Sequence, residues 1–226
     1  LPTPAGRIFL TLVEPLRERR EIGFLICHSF AYEQLDLFRL DLTFARLAAA
    51  AGFPAVYFQA RGYADSGGDL GEATPASHLR DALEAADHLR RRTGVDAVVP
   101  VGARWGAGVA LAASERIGAP GVVLWNPSLD PRGYLDDLLK VFSRSRIAGK
   151  SQGADGPAGP TREQLQAALA SGADVDLFGY PLSSYCYREA ASDGPILAFA
   201  ASAPPRSSGR SGSGFCACLS SAPSST

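Results

Sequence analysis

Short apolar segments alternate with longer stretches of helical period along the first 125 residues. Two stretches have the apolar spacing of amphipathic helices: residues 33–51, which end at Gly52, and residues 74–92, which begin with the N-cap Thr74 and end before Gly94. The apolar segments around them are short enough for buried strands: 7–13, 23–28, 54–60, 96–101 and 121–125. Buried strands that alternate with helices predict a mostly parallel, doubly wound α/β sheet covered on both faces.

A helical pattern without strands follows this region, from residue 127 to about residue 193. It contains two helical pieces, residues 134–142 and 161–170, which are joined by the loose segment 149–160. Such a block, placed between segments that form a sheet, predicts a helical lid inserted into the sheet domain.

The C-terminal part begins with one more apolar segment, residues 195–201, which is predicted to be a strand. Residues 202–226 are mostly Ser, Gly, Pro and Ala and contain no acidic residue, so they cannot bury enough apolar area to offset their ordering entropy. We therefore predict a sheet domain over residues 1–201 that is incomplete at its C-terminus, followed by a low-complexity, disordered tail over residues 202–226.

A tight glycine turn follows the predicted strand 96–101. Its sequence, Gly102-Ala103-Arg104-Trp105-Gly106, has the spacing of the G-x-S-x-G nucleophile elbow, in which small flanking residues let the chain present one side chain above the sheet. Here that side chain is Arg104, whose guanidinium stays charged and has no lone pair with which to attack a substrate. The turn predicts a hydrolase scaffold, but its apex lacks a nucleophile.

Three segments in this order resemble the α/β-hydrolases of the serine-aminopeptidase and lysophospholipase-like branch. They are Cys27–Phe30, Phe58–Gly68 and the elbow 102–106, and the resemblance covers about residues 7–201. The run from Leu124 through Leu135 also resembles a subgroup often named exosortase-associated hydrolases, in which the apex of the elbow is an arginine. The resemblance implies an α/β-hydrolase fold with a hydrolytic (ester or acyl) lineage.

The resemblance also implies roles for residues around the turn. Ser29 and Phe30 would line the floor of the pocket opposite the elbow, and the backbone N–H groups of Ser29 and Trp105 would form an oxyanion hole. His28 would hydrogen-bond the backbone of its loop and shape it, or else contact the substrate.

The catalytic triad of this fold is incomplete in the sequence. It runs in the order nucleophile, acid, histidine, but the last histidine here is His88, which precedes the elbow. Asp130, after the strand 121–125, is a candidate acid, and no residue is a candidate base. We therefore expect little serine-hydrolase turnover from this chain.

Arg104 has two alternative roles. At a helix N-terminus, where the backbone already favours anions, its guanidinium would form a bidentate site for a carboxylate or a phosphate. Alternatively, it pairs with a carboxylate of the lid and fills the former active site. The first alternative predicts a non-catalytic protein that binds an anionic small molecule or a partner protein.

A third class, an NADP-dependent oxidoreductase, is suggested by the glycines at positions 102, 106 and 108, which match G-x-x-x-G-x-G. That loop normally follows the first strand, whereas here at least two strand-helix units precede it, and no Tyr-x-x-x-Lys occurs. No cofactor is expected.

Composition excludes several other classes. The net charge of −1 predicts no attraction to nucleic acid or to an anionic membrane. The longest apolar run, residues 47–56, is broken by Gly52 and Pro54 and is far shorter than the roughly 20 residues that span a bilayer. The N-terminus lacks the order of regions found in a signal peptide, so a cytoplasmic location is expected. Cys216 and Cys218 have no neighbouring ligands to complete a metal site, and none is expected.

Overall fold

The computed structural model describes residues 1–3, 6–150, 159–191 and 216–219, with only the backbone of residues 146–150 and 216–219. The strands are β1 Pro2–Thr3, β2 Gly6–Arg7, β3 Phe9–Val13, β4 Ile22–Cys27, β5 Ala55–Gln59, β6 Ala97–Ala103, β7 Val122–Trp125, β8 Val175–Leu177, β9 Tyr180–Leu182 and β10 Cys216–Leu219. The helices are α1 Glu33–Ala50, α2 Pro75–Thr93, α3 Trp105–Arg116, α4 Pro131–Lys150, α5 Arg162–Ala170 and α6 Ser184–Glu189.

The main sheet has six strands in the order β10-β7-β6-β4-β5-β3. All neighbouring pairs are parallel except β3 and β5, which are antiparallel. This arrangement confirms the predicted mostly parallel α/β sheet. Two small hairpins, β1–β2 and β8–β9, lie outside it.

Alternate residues of the central strands pack against helices on opposite faces of the sheet. Ile26 and Tyr57 point to the face covered by α1, where they contact Ala45 and Ala48. Leu25, Cys27, Val56 and Phe58 belong to the larger core that also contains the buried residues of α2 and α3. Because side chains alternate along a strand, short all-apolar strands fill both faces, which makes the sheet doubly wound.

Helix α2 has the boundaries that its terminal residues predict. The Thr74 hydroxyl accepts from the Ser77 N–H and the Ser77 hydroxyl accepts from the Thr74 N–H, which forms a capping box. At the other end Gly94 adopts a left-handed conformation with φ of 66°. Local side-chain chemistry therefore defines both ends of this helix.

The region predicted as a lid contains more structure than the sequence indicated. Helices α4 and α5 pack on each other, as the two helical pieces suggested, but α4 extends to Lys150. The hairpin β8–β9 and helix α6 were not predicted, because strands of three residues and a helix of six residues are too short to show a period.

The C-terminal predictions fall mostly outside the described residues. This holds for the predicted strand 195–201 and for the predicted tail 202–226, except for β10, which pairs with β7 in parallel.

Candidate active site

The turn between β6 and α3 has the strained geometry of a nucleophile elbow. Arg104 lies at its apex with φ of 54° and ψ of −120°, a region that side chains rarely adopt. A Cβ atom on Gly102 would collide with the carbonyl of Gly106, and one on Gly106 would collide with the carbonyls of Cys27 and His28. Only glycine fits at either position, so the predicted turn forms at the end of β6.

Two backbone hydrogen bonds hold the apex in place. The Arg104 N–H donates to the carbonyl of Trp125 at 3.1 Å, and the Ser128 N–H donates to the carbonyl of Arg104 at 3.1 Å. Both partners lie at or just after the end of β7, the neighbouring strand. The sheet therefore imposes the positive φ on the arginine.

The Arg104 side chain is part of a polar network above the turn. Its Nε lies 3.5 Å from Oε1 of Glu33, and its guanidinium carbon lies 5.7 Å from the centre of the Tyr134 ring. The other Glu33 oxygen, Oε2, accepts from the Tyr134 hydroxyl at 2.8 Å and from the Ser29 hydroxyl at 3.0 Å. We call these four residues the elbow network. The Glu33 carboxylate contacts three groups, whereas the Arg104 guanidinium makes a single long ion pair.

Two members of the elbow network were missed by sequence reasoning. Glu33 begins α1, outside the predicted lid, so the partner of Arg104 is not the lid carboxylate considered above. The region predicted as a lid instead contributes Tyr134, from the first turn of α4. Burial and the Glu33 carboxylate raise the pKa of Tyr134 well above its usual value, so the hydroxyl remains a neutral donor. The only sequence signal for Glu33 was its position four residues after Ser29.

His28 is buried at the end of β4 and both of its ring nitrogens contact backbone. Nδ1 donates to the carbonyl of Ser29 at 2.6 Å, and Nε2 accepts from the Ala60 N–H at 3.0 Å. Burial lowers the pKa of His28 to about 4, so the ring is neutral near pH 7. With both nitrogens occupied, His28 shapes the loop and has no free nitrogen for proton transfer.

Trp105 follows the apex and is buried among aromatic rings. Its Nε1 donates to Nδ1 of His78 on α2 at 3.0 Å, and its ring lies 4.9 Å from Phe30 and 5.3 Å from Tyr134 between centroids. Burial and the neighbouring His28 hold the pKa of His78 well below its usual value. His78 had no signal in the sequence beyond its place on a helix.

Two backbone segments lie close together where the oxyanion hole is predicted. The close approach of Gly106 to the carbonyls of Cys27 and His28 brings the loop with Ser29 and Phe30 against the start of α3. The Trp105 N–H is the first of that helix and therefore has no acceptor within it.

Within the described residues, the Asp130 carboxylate forms no hydrogen bond or ion pair with the side chains of the elbow network. Asp130 is exposed just before α4, its carbonyl accepts from the Tyr134 N–H at 3.0 Å, and its carboxylate lies against Gly133. The chain has three histidines, and all of them precede the elbow. Within the described residues, no Asp130–histidine pair exists that could act as the acid and base of a triad.

Two further findings concern the described parts of the chain as a whole. No cluster of three or more His, Cys, Asp or Glu side chains there could hold a metal ion. No helix there is both long and apolar enough to cross a membrane.

Comparison with known proteins identifies the fold. No protein-family model and no curated protein matches the chain in sequence. Among solved structures, an α/β serine hydrolase homologue from Coxiella burnetii matches with a TM-score of 0.50 and 17% identity, over 56% of this chain. A putative hydrolase from Agrobacterium vitis has a TM-score of 0.52 and 17% identity, over 82% of this chain. Est1E from Butyrivibrio proteoclasticus has a TM-score of 0.54 and 14% identity, over 85% of this chain and 68% of its own.

The chain spans 61% of the Coxiella protein and 66% of the Agrobacterium protein, less than two thirds of each. Identities this low show the fold and nothing finer. The chain has the α/β-hydrolase fold that the resemblance implied, whereas the branch and the subgroup stay predictions.

Proposed function

We propose that this α/β-hydrolase-fold protein has lost serine-hydrolase turnover and binds a small anionic molecule at Arg104. The observation that carries the proposal is the apex itself: an arginine occupies the position where the turn presents its functional side chain.

The absence of turnover follows from the chemistry of the residues near the apex. Arg104 has no nucleophilic lone pair, and both ring nitrogens of the buried His28 are hydrogen-bonded to backbone. The buried His78 accepts at Nδ1 from Trp105, so its neutral ring carries the proton on Nε2 and has no lone pair left to act as a base. An oxyanion hole without a triad leaves only a residual acceleration of about 10³ to 10⁴ over water.

The capacity to bind an anion follows from the unused donors of the guanidinium. Only Nε of Arg104 contacts Glu33, at the long distance of 3.5 Å, and the two Nη groups donate no hydrogen bond within the described residues. The side chain is 30% exposed, so an incoming ligand can reach these groups. A planar carboxylate or a phosphate matches their fork, and the N-terminus of α3 adds favourable electrostatics.

The contacts of Glu33 decide which side chain moves when a ligand binds. Its Oε2 is held by Tyr134 and Ser29, so the carboxylate stays in place while Arg104 turns its Nη groups toward the ligand. The nucleotide-dependent oxidoreductase alternative has less support, because the glycine turn follows β6 and its backbone packs tightly on the loop after β4.

Two measurements test the proposal. A fluorophosphonate probe should not label the chain, and stoichiometric labelling would contradict the loss of turnover. Calorimetric titration with benzoate and with inorganic phosphate should give saturable binding to at least one of them. Arg104→Gln should weaken that binding by about tenfold or more, because it removes charge-assisted hydrogen bonds.

The matched control is Arg39→Gln, which removes an exposed arginine of α1 and should leave binding unchanged. Equal losses of anion affinity in Arg104→Gln and Arg39→Gln would show that binding depends only on the net charge of the protein. That result would reject Arg104 as the binding site.

A further inference from the structure

A pocket at the C-terminal end of β5 contains none of the side chains of the elbow network. Three parts of the chain form its walls: the first turns of α1, the loop that follows β5, and Tyr180 of β9. Its volume is about 210 Å³. Most of its lining is apolar or aromatic, chiefly Leu35, Phe38, Leu70 and Tyr180, and no charged side chain of the described residues lines it. The pocket therefore suits an uncharged ligand.

Two glutamine side chains form the polar part of the pocket. Gln34 of α1 is 4% exposed and Gln59 of β5 is 7% exposed. The Nε2 of Gln34 donates to the Tyr57 hydroxyl at 3.1 Å, and the Oε1 of Gln59 accepts from the Asp65 N–H at 3.1 Å. These two hydrogen bonds determine which end of each amide is left free: the oxygen of Gln34 and the nitrogen of Gln59.

The two free amide ends have complementary chemistry. Oε1 of Gln34 can only accept a hydrogen bond, and Nε2 of Gln59 can only donate one. Neither atom has a hydrogen-bond partner among the described residues, and neither is sealed from solvent. A polar atom on a largely buried side chain is costly unless water or a ligand meets it. The pocket thus presents one acceptor and one donor to a ligand.

The surrounding structure holds both amides in place. Tyr57 and Gln59 are two residues apart on β5, so their side chains lie on the same face of the sheet. Tyr57 is 1% exposed and packs edge-on against Phe38, with 5.6 Å between the ring centroids, so the partner of Gln34 is itself fixed. The loop that gives its N–H to Gln59 passes through Ala64 at a φ of 42°, a strained conformation. The acceptor and the donor are therefore preorganised.

We propose that this pocket binds a small uncharged cyclic amide, whose N–H donates to Oε1 of Gln34 and whose adjacent carbonyl accepts from Nε2 of Gln59. A cyclic amide carries both groups on one edge of its ring, and the rest of the ring packs against the lining that includes Phe38 and Tyr180. A cavity of roughly 150 Å³ holds one benzene ring, so this pocket has room for a six-membered ring and its exocyclic oxygen. The site is separate from the anion site proposed at Arg104, and neither depends on the other.

The test is calorimetric titration of the whole chain at pH 7 with 2-pyridone, N-methyl-2-pyridone and pyridine. 2-Pyridone has an N–H beside its carbonyl, the N-methyl derivative lacks the N–H, and pyridine lacks both groups. 2-Pyridone should bind saturably, and at least about tenfold more tightly than either of the other two compounds, because only it satisfies both glutamines.

The same substitution at three glutamines tests the direction of each hydrogen bond. Gln59→Glu keeps an acceptor for its backbone partner but removes the Nε2 donor, so 2-pyridone affinity should fall at least about tenfold. Gln34→Glu keeps an acceptor for the ligand N–H, and the Tyr57 hydroxyl can donate to it, so the affinity should fall by less than about threefold. Gln164→Glu is the matched control and should have no effect. Gln164 is exposed, and its Oε1 also accepts from a backbone N–H, that of Thr161 at 2.9 Å.

Four results would overturn the proposal. They are no saturable binding of 2-pyridone, binding of N-methyl-2-pyridone as tight as that of 2-pyridone, unchanged affinity in Gln59→Glu, or a loss in Gln34→Glu as large as that in Gln59→Glu. The first two are measured on the unaltered chain and hold even if a variant fails to fold. Arg104→Gln should leave 2-pyridone binding intact, so failure at this pocket is distinguishable from failure of the anion site.

Discussion

The turn at residues 102–106 and the elbow network above it are held together in different ways. The turn is maintained by steric exclusion, since a side chain at Gly102 or Gly106 would collide with backbone carbonyls. The elbow network is maintained by polar contacts at 2.8–3.5 Å around Glu33, and the longest of them is the 3.5 Å ion pair with Arg104. The turn and the elbow network should therefore fail differently when they are altered.

The largest effect is expected from Gly106→Ala. The new Cβ would collide with backbone atoms of Cys27 and His28, which cannot move without distorting β4. We expect a loss of about 3 kcal/mol or more in the free energy of unfolding, measured by urea denaturation. Gly118→Ala is the control: Gly118 has a positive φ, which Gly106 lacks, but a Cβ there meets no atom within 4 Å, so its cost should be only the roughly 1 kcal/mol of backbone strain. Equal losses of stability in Gly106→Ala and Gly118→Ala would refute the steric explanation for the glycine at position 106.

The second effect is a fall in the free energy of unfolding at acidic pH, which is caused by His28 beside the turn. Burial lowers the folded-state pKa of His28 to about 4, whereas the unfolded chain titrates near 6.5. Stability is therefore full above pH 6.5 and falls as the pH drops toward 4, by about 3 kcal/mol from His28 alone. His78, whose pKa is also lowered, acts in the same direction.

Asp41 acts in the opposite direction, because its raised pKa stabilises the folded state as the pH falls below 7. The measurement is therefore the free energy of unfolding from pH 7 to pH 4 in Asp41→Asn, where the fall should be steeper than in the natural sequence. A free energy independent of pH in that variant would refute the neutral, buried state of His28.

A smaller effect is expected in the elbow network from Glu33→Gln. Removing the negative charge frees Arg104, so benzoate should bind several-fold more tightly in calorimetry. The free energy of unfolding should change by about 1 kcal/mol or less, because the pair is partly exposed and 3.5 Å long. Weaker benzoate binding would show that Glu33 orients Arg104 for the ligand instead of competing with it.

The smallest change in benzoate affinity is expected from Tyr134→Phe. The ring and its contact with Arg104 remain, while the hydrogen bond to Glu33 is lost, so stability should fall by about 1 kcal/mol. Benzoate affinity should change by less than threefold. A loss as large as that of Arg104→Gln would place the Tyr134 hydroxyl in direct contact with the anion.

The predictions from sequence succeeded where a local signal was strong. The Thr74 cap and Gly94 bracket α2, and the spacing of Gly102 and Gly106 predicted the tight turn after β6. The region predicted as a lid was harder to describe from sequence. Its elements β8, β9 and α6 are too short to show a helical or strand period in their apolar residues.

What the sequence by itself determined is the order of the main strands and helices up to β7 and the turn with Arg104 at its apex. These features depend on apolar period, caps and glycine spacing, all of which act over a few neighbouring residues. Only the tertiary structure decided that Glu33 and Tyr134, 101 residues apart in sequence, meet above that turn. The physical reason is that charge pairing and burial depend on which distant segments the sheet brings together. A pattern of neighbouring residues contains no information about those contacts.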